Sequence, residues 1–493
     1  NGLITTDSNS YLKANLITIS SDSIGTSLNP VYTQASQLDL TSNATSGADI
    51  YIVNNTIDAP GQLAVFGSSA GLIDLINYGT VVISSDNLSA TNNIDLSANA
   101  GAITVNGNLS STSGDINLNG LGLTGAGFIQ TNLLTLSSTA AVGSLATPVE
   151  TRVNILSLLN LEATANINNT LATALSVSGT VNSDLSLSST GAINLGGNLS
   201  STTGDVILTS GGAIDFSGNT VEASSLTLST ASDIGTAVNL VSTIVDTLVL
   251  SNLGGVAYIS NTLNTLTSLL VSGTVNNDLE IVNSGGGISL AGNLSSTAGD
   301  VTLTSTGGVI ALGGNTLGAT AGNVNLTSSG LSGGIGHSIQ TGVLTLSSSG
   351  AVGSATTDIE TQANGLVLSS LGGSTYLNNN SGGLSVSGAG TFGGVFDLTN
   401  TGSISTTSAL QSSGDFNFNA GTTLNLGNTI TSTAGDVNLT SVGAMTLGGN
   451  VTSTAGDVSL ISTGGAILLG TNQVNAFGNL SLSGSSVSGT GII

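Results

Sequence analysis

The sequence predicts an all-β protein in which one parallel β-helix, or β-solenoid, runs continuously through residues 1–493. Three observations predict this fold: a motif that recurs every 21 or 22 residues, alternation of apolar and polar side chains within each motif, and Gly or Asn between the alternating segments. Only 3 of the 493 residues are Pro, which suits a chain whose backbone N–H groups are nearly all engaged between strands. We expect no separate globular domain.

The short motif is clearest near the end of the chain, where residues 427–441 are followed by a near copy at residues 449–462. Aspartates that follow Gly keep an interval of 21 residues there: Asp415, Asp436 and Asp457. A constant interval of this size is typical of solenoids, in which each coil contacts only its neighbours. The sequence therefore predicts coils of about 21–22 residues.

Each motif predicts two or three short strands. Residues 444–447 and 457–460 alternate between apolar and polar side chains, and Gly, Asn, Ser and Thr bound them. The Gly-Gly-Asn corners at residues 313–315 and 448–450 are expected to use glycine for positive φ values. Successive coils would then stack in parallel about 4.8 Å apart, with Asn, Ser and Thr side chains aligned along the stack.

A longer repeat of roughly 90 to 118 residues lies over the short one. Similar segments begin with Leu-Thr-Leu at residues 134–136, 226–228 and 344–346, and the second interval is 118 residues. The extra length contains another copy of the short motif at residues 321–326, so we expect one whole inserted coil. The full chain would form roughly 22 coils and a rod on the order of 100 Å long.

The composition excludes several classes of function. The 2 basic and 26 acidic side chains give a net charge of −24, which disfavours binding to nucleic acid or to an anionic membrane surface. The chain has no Cys and no apolar run of about 18 residues, so neither a disulfide framework nor a transmembrane segment is expected. The sequence begins at Asn1 without Met or a signal-peptide pattern, as expected for a segment of a longer exported protein.

The aspartate column is the one candidate metal site. Carboxylates of Asp415, Asp436 and Asp457 on adjacent coils would lie about 5 Å apart, where a calcium ion would relieve their repulsion. The alternative is that each carboxylate accepts a backbone N–H in its own turn, as the replacement of Asp by Asn323 in one copy allows. The sequence alone is compatible with both interpretations.

No catalytic or cofactor-binding residues are predicted, and we expect that the protein is not an enzyme. His337 is the only histidine, which excludes a metal site built from several histidines of one chain, and we place it in a loop. Arg152 aligns with Gln34 and Gln362, which indicates a surface position. The two Gly-x-Gly-x-x-Gly matches, at residues 120–125 and 388–393, are expected by chance among 70 glycines.

Tyrosine offers a weaker candidate for ligand binding. Tyr258 and Tyr376 occupy matching positions 118 residues apart, and Asn166 takes that place in another copy. A sugar-stacking platform is one interpretation, although a chain with no Trp and 6 Tyr is poor in the aromatic residues that such platforms use.

Two phrases give the sequence a family resemblance. Gly-Ala-Ile-x-Leu-x-Gly-Asn, as at residues 191–198, and Ser-Thr-Ala-Gly-Asp-Val-x-Leu-x-Ser, as at residues 432–441, resemble the repeats of filamentous-haemagglutinin-like large exoproteins. The resemblance covers nearly the whole chain. It implies a right-handed β-helix, two-partner secretion across a Gram-negative outer membrane, and roles in adhesion or biofilm formation. The family's Asn-Pro-Asn-Leu secretion signature is absent, since Asn29-Pro30 is only a fragment of it, so a shaft segment is expected.

These observations lead us to expect an extracellular structural or adhesive fibre protein of a Gram-negative surface. It would self-associate end to end or side by side, and a glycan or another cell-surface ligand is a possible partner. The alternative is a surface module that binds polysaccharide or, with less support, ice. A β-helix enzyme that degrades polysaccharide has the least support, because the acidic residues follow the repeat whereas a catalytic pair should break it.

Overall fold

The computed structural model describes residues 2–44, 48–55, 61–388 and 391–491. Its fold is a parallel β-solenoid of about 23 turns with coils of about 21 residues, as the sequence predicts. The regular structure of the described residues is entirely β-strand, and these residues include no helix long and apolar enough to cross a membrane. The predicted continuity of a single solenoid through residues 1–493 stays a prediction.

Backbone contacts divide the chain into two units. Unit 1 comprises Asn1–Gly235 and Val241–Val245, and unit 2 comprises Thr236–Leu240 and Asp246–Ile493. At about 21 residues per coil, each unit contains about eleven coils and extends roughly 50 Å along its own axis.

The strands of unit 1, β1 to β22, are Leu3–Ile4, Leu12–Ser21, Ser23–Ile24, Val31–Ser42, Ile50–Asn54, Leu63–Ser69, Ile73–Asn77, Val81–Ala90, Ile94–Ala98, Ile103–Val105, Leu109–Ser111, Ile116–Gly120, Leu123–Thr124, Phe128–Ser138, Val149–Leu161, Ala165–Asn169, Leu175–Val181, Leu185–Ser189, Ile193–Ser201, Asp205–Ser210, Ile214–Asp215 and Thr220–Thr230.

Strand β23, Val241–Leu253, contains the boundary between the units. The strands of unit 2 that follow, β24 to β51, are Ala257–Thr262, Ser268–Val275, Leu279–Ser284, Gly287–Ser296, Val301–Ser305, Ile310–Ala311, Thr316–Ala319, Val324–Ser328, Leu331–Ser332, Ser338–Ser348, Ile359–Leu371, Thr375–Asn379, Gly383–Gly388, Thr391–Phe392, Phe396–Asn400, Ser403–Thr406, Leu410–Ser412, Phe416–Ala420, Leu424–Leu426, Ile430–Ser432, Val437–Ser441, Met445–Leu447, Val451–Ser453, Val458–Ser462, Ile467–Gly470, Val474–Ala476, Leu480–Ser483 and Val487–Gly489.

The coils in the last part of unit 2 each contain three strands. Strands β41, β44, β47 and β50 form one parallel stack, and β42, β45, β48 and β51 form a second. Strands β40, β43, β46 and β49 form the third. Each residue therefore pairs with a residue about 21 positions away, so the short period of the sequence equals the length of one coil.

The core lies inside the coils because every second side chain of a strand points inward. In β44, Val437 and Leu439 are buried, whereas Asn438 and Thr440 on the outer face are half-buried. Val437 pairs with Phe416 on the preceding coil and with Val458 on the next, which makes a continuous apolar column. Hydrophobic burial along such columns is the main stabilising contribution of each coil.

The two Gly-Gly-Asn corners differ in why they need glycine. Gly313 has φ +59°, as predicted, but neither Gly448 nor Gly449 adopts a positive φ. At Gly449 a Cβ atom would lie 2.3 Å from the carbonyl carbon of Asn428 on the preceding coil. The prediction of positive φ at residues 448–450 was therefore wrong, because close approach of two coils, and not backbone conformation, excludes a side chain there.

A buried Asn links adjacent coils at several places. The Oδ1 atom of Asn379 accepts the Thr361 hydroxyl at 2.7 Å and the Ala363 N–H at 2.9 Å, and its Nδ2 donates to Ala363 O at 3.1 Å. Asn54 and Asn169 make the same set of contacts with the coils that precede them. The amide side chain thus takes the place of a neighbouring strand. It pairs with a buried backbone N–H and C=O of the preceding coil, which would otherwise lack partners.

The structure confirms the predicted inserted coil. In unit 1, β19 pairs directly with β22. In unit 2, the equivalent strands β27 and β33 are separated by β30, which pairs with both. The repeated motif at residues 321–326 leads into β31 of this coil.

The buried Asn contacts yield a stability prediction. Replacing Asn379 by Ala leaves the buried N–H and C=O of Ala363 without partners, so we expect a loss of about 2–4 kcal/mol and a lower Tm. Asn378 lies on the outer face, where its amide donates to the Glu360 carboxylate at 3.1 Å. Replacing Asn378 by Ala should therefore cost about 1 kcal/mol or less. Thermal unfolding of both variants followed by circular dichroism checks this, and equal effects would contradict the assigned role.

Candidate functional site

The predicted aspartate column exists, and its carboxylates join successive coils. The Asp436 N–H donates to Asp415 Oδ1 at 2.9 Å, and the Asp457 N–H donates to Asp436 Oδ1 at 2.7 Å. Asp457 Oδ1 accepts the Asn479 N–H at 2.6 Å. The expectation that each carboxylate accepts an N–H of its own turn was therefore wrong in detail, because the donor belongs to the next coil.

Asn performs the same role elsewhere. Asn93 Oδ1 accepts the Asp115 N–H at 3.0 Å, and Asn450 Oδ1 accepts the Gln473 N–H at 2.8 Å. A neutral amide oxygen is thus sufficient for this corner, and the negative charge of Asp is not required by the hydrogen bond. The backbone N–H and the side chain of Asn479 lower the pKa of Asp457, so this exposed carboxylate is ionised at neutral pH.

The calcium hypothesis for Asp415, Asp436 and Asp457 stays a prediction. Within the described ranges, no group of three or more His, Cys, Asp or Glu side chains is arranged to hold a metal ion. In each of the three carboxylates one oxygen is engaged by a backbone N–H, and in Asp457 the second oxygen also accepts the Asn479 side chain at 3.3 Å. A cation would therefore contact the second oxygen of Asp415 or Asp436.

Asp246 forms a second carboxylate arrangement, which the sequence did not predict. Its oxygens accept backbone N–H groups of Asn264 at 3.1 Å, Thr265 at 2.8 Å and Leu266 at 2.9 Å, and also the Thr265 hydroxyl. Burial alone would raise the pKa of Asp246, but these hydrogen bonds outweigh it and lower the pKa. The arrangement holds the loop between β24 and β25 against the preceding coil.

A signal for this loop was present in the sequence. The step from Asn166 to Tyr258 is 92 residues, whereas the step from Val177 to Val271 is 94. Two residues are therefore added between β24 and β25, and the longer loop is the one whose N–H groups converge on Asp246.

A polar groove lies over the inserted coil of unit 2. It has a volume of about 610 Å³ and is lined chiefly by neutral side chains. Ser295, Gly318 and Gln340 occupy the same register position on three successive coils, so the absence of a side chain at Gly318 opens the groove. Its other lining residues include Asn293, Thr316, Thr320, Thr341 and Asn364. We call this feature the polar groove.

The other residues singled out in the sequence, His337 and Arg152, contact residues of neighbouring coils. His337 lies in the loop before β33, as predicted, but it is buried, and its Nε2 accepts the Glu360 N–H at 3.0 Å. Arg152 pairs in register with Gln130, and its guanidinium carbon lies 4.2 Å from the centre of the Phe128 ring. Gln34 and Gln362 occupy the same position as Arg152 in their own strands, opposite Lys13 and Gln340.

The tyrosine position is shared by four strands, β5, β16, β24 and β35. Tyr51 joins Tyr258 and Tyr376 there, and each tyrosine pairs with an acidic residue on the next coil: Asp74, Glu280 and Asp397. Burial, followed by the charge of Asp95, raises the pKa of Asp74, and burial raises the pKa of Asp397. Asn166 pairs instead with Ser186, so the tyrosine and the acid are absent together in that copy.

Comparison of the chain with models of protein families, with curated proteins and with solved structures finds no match. The function of the chain is therefore inferred from its own geometry.

The aspartate column yields a test that separates its two interpretations. If the carboxylates serve as inter-coil acceptors, Asp436→Asn should leave the Tm nearly unchanged, and Asp436→Ala should cost about 1 kcal/mol. Tm is measured for both variants and for the parent chain in calcium and in chelator. A calcium-dependent rise in Tm that Asp436→Asn abolishes would instead establish a metal site.

Asp246 yields a pH prediction. Because its pKa is lowered in the folded chain, its contribution is present at pH values above the unfolded pKa of about 3.9 and is lost as pH falls through the folded pKa. Asp246→Asn should therefore lower the Tm at pH 7, by the equivalent of about 1–3 kcal/mol. The difference between parent and variant should shrink below pH 4, and a difference that is constant from pH 7 to pH 3 would contradict this.

Proposed function

We propose that the protein is an extracellular structural or adhesive fibre protein of the kind that filamentous-haemagglutinin-like exoproteins represent. The observation that supports it is the register of the coils: within each unit, strand after strand pairs in parallel with its counterpart about 21 residues away. Such stacks place many identical hydrogen bonds along one axis and leave their outer faces to Ser, Thr and Asn. A stack of this type suits a shaft or scaffold.

Location and export are part of the same proposal. The repeat phrases resemble those of large proteins that Gram-negative bacteria export by two-partner secretion. The 6% content of charged residues and the absence of Cys are compatible with a surface fibre that needs neither disulfides nor charged caps on each coil. Adhesion and biofilm formation are the roles that this resemblance suggests.

The proposal also includes a non-enzymatic role and self-association. The acidic residues of the 415–457 column support coil corners, which gives them a structural use. The net charge of −24 opposes binding to nucleic acid. Association of copies end to end or side by side would extend the fibre.

A second candidate function is polysaccharide binding in the polar groove. The groove is lined by neutral hydroxyl and amide side chains, which hydrogen-bond well to sugar hydroxyls. Its volume of about 610 Å³ is within the usual range of ligand sites. The inserted coil that creates it is absent from the equivalent position in unit 1.

The fibre proposal is tested by electron microscopy of the purified full chain over a range of concentrations, combined with light scattering. We expect elongated particles that associate further as concentration rises. Compact particles that stay monomeric at the highest concentration would overturn the proposal.

Polysaccharide binding in the polar groove is tested with a substitution that fills the groove. A Cβ at Gly318 would lie 3.8 Å from Ser295 Cβ and from Gln340 O, which is ordinary contact, so Gly318→Gln should fold and fill the groove. We expect this variant to lose binding to an array of neutral oligosaccharides. Gly382→Gln, at a glycine with nothing within 4 Å, is the matched control and should bind like the parent chain. Equal binding by all three proteins would exclude the groove as the site.

A further inference from the structure

The copy of the tyrosine position that lacks tyrosine contains a cavity. Strands β5, β16, β24 and β35 each have a buried Asn three residues after this position, namely Asn54, Asn169, Asn261 and Asn379, which shows that the positions are equivalent. Three of the four copies have Tyr there, and β16 has Asn166. The cavity beside Asn166 has a volume of about 540 Å³.

A short loop forms one wall of this cavity. Residues 144–147, which we call the finger loop, form a turn in which Ser144 and Thr147 exchange two backbone hydrogen bonds of 3.0 and 3.2 Å. Gly143 at its base has φ +62°, and a Cβ there would lie 2.5 Å from Asn166 O. The loop base therefore lies against the backbone of position 166, and Gly25 and Gly353 have the same relation to Tyr51 and Tyr376.

The cavity wall is mainly apolar. Leu145 and Ala146 of the finger loop and Ile207, two coils beyond Asn166, contribute apolar side chains to the lining. Leu145 is 81% exposed and Ile207 is 38% exposed, so both present apolar surface to solvent. A cavity of this size with apolar walls and few polar groups is typical of small-molecule sites.

The Asp184 carboxylate at the cavity is placed to accept a hydrogen bond from a phenol hydroxyl. In unit 2, the Tyr258 hydroxyl donates to Asp278 Oδ2 at 3.3 Å, while Asp278 Oδ1 accepts the Asp300 N–H at 2.9 Å. Asp184 is the counterpart of Asp278, because each directly precedes the Leu that begins the next strand of the stack. Asp184 lines the cavity, and its Oδ1 accepts the Asp205 N–H at 3.0 Å. Asp184 Oδ2 is therefore the counterpart of Asp278 Oδ2, which accepts the hydrogen bond from the Tyr258 hydroxyl.

We propose that the cavity beside Asn166 binds a small molecule with a p-hydroxyphenyl ring. The ring occupies the position that a tyrosine side chain takes in the other copies, with its faces against Leu145 and Ile207, and its hydroxyl donates to Asp184 Oδ2. The carboxylates of Asp184 and Asp205 disfavour an anionic ligand. A neutral phenol is therefore preferred to a phenolic acid, and a phenol is preferred to a hydrocarbon ring of the same shape.

The test uses the full chain and three probes, p-cresol, toluene and 4-hydroxyphenylacetate, with binding measured by ligand-observed NMR and calorimetry. We expect p-cresol to bind most tightly. Asn166→Tyr should reduce p-cresol binding at least tenfold, because the new side chain would occupy the site. Asn132→Tyr, at an exposed residue of unit 1, is the control and should bind p-cresol like the parent chain.

Two further variants keep the test independent of how Asn166→Tyr folds. Asp184→Asn should weaken p-cresol about threefold to tenfold and leave toluene unchanged. Leu145→Ser, at the exposed tip of the finger loop, should weaken both ligands with no change in Tm. The proposal is overturned if p-cresol does not bind at millimolar concentration, or if neither Asn166→Tyr nor Leu145→Ser affects its binding.

Discussion

The register between successive coils is the constraint on which the rest of the structure depends. Parallel pairing of each strand with its counterpart about 21 residues away brings coils within about 4.8 Å of each other. At that spacing, the corners have room for few side chains, which explains why Gly449 is required although its φ is negative. The same spacing lets Asp436 and Asn450 accept an N–H from the next coil. It also lets Asn379 accept the N–H of Ala363 in the strand directly before its own.

Specific features arise where this regularity changes. The inserted coil in unit 2 places Gly318 between Ser295 and Gln340 and opens the polar groove. Two added residues between β24 and β25 allow N–H groups to converge on Asp246. The cavity beside the finger loop is lined by Asn166, which stands where three equivalent strands have Tyr. In all three cases the neighbouring coils keep their pairing, because a solenoid absorbs changes in length or side chain locally.

The sequence was sufficient to predict the coil length, the parallel pairing, the inserted coil and the alignment of Arg152 with Gln34 and Gln362, because each follows from periodicity. It was insufficient where the decisive partner lies one coil away. For Asp415, the donor N–H was expected in the same turn of the chain, and glycine at 448–449 was expected because of a positive φ. In both cases local turn chemistry was the only context that the sequence offers. The cavity depends on the volume beside Asn166, which no spacing of residues reveals, although the substitution itself was visible.

Engineered cysteines test the inter-coil register most directly, because the chain has no Cys of its own. Asn417 pairs with Asn438 on the next coil, whereas Thr440 is two positions further along. Paired Cα atoms should lie about 4.8 Å apart and the offset pair about 8 Å apart, and a disulfide requires less than about 7 Å. We expect the double variant Asn417→Cys/Asn438→Cys to form its disulfide rapidly under mild oxidation and Asn417→Cys/Thr440→Cys to stay reduced. Preferential cross-linking of the offset pair would contradict the register.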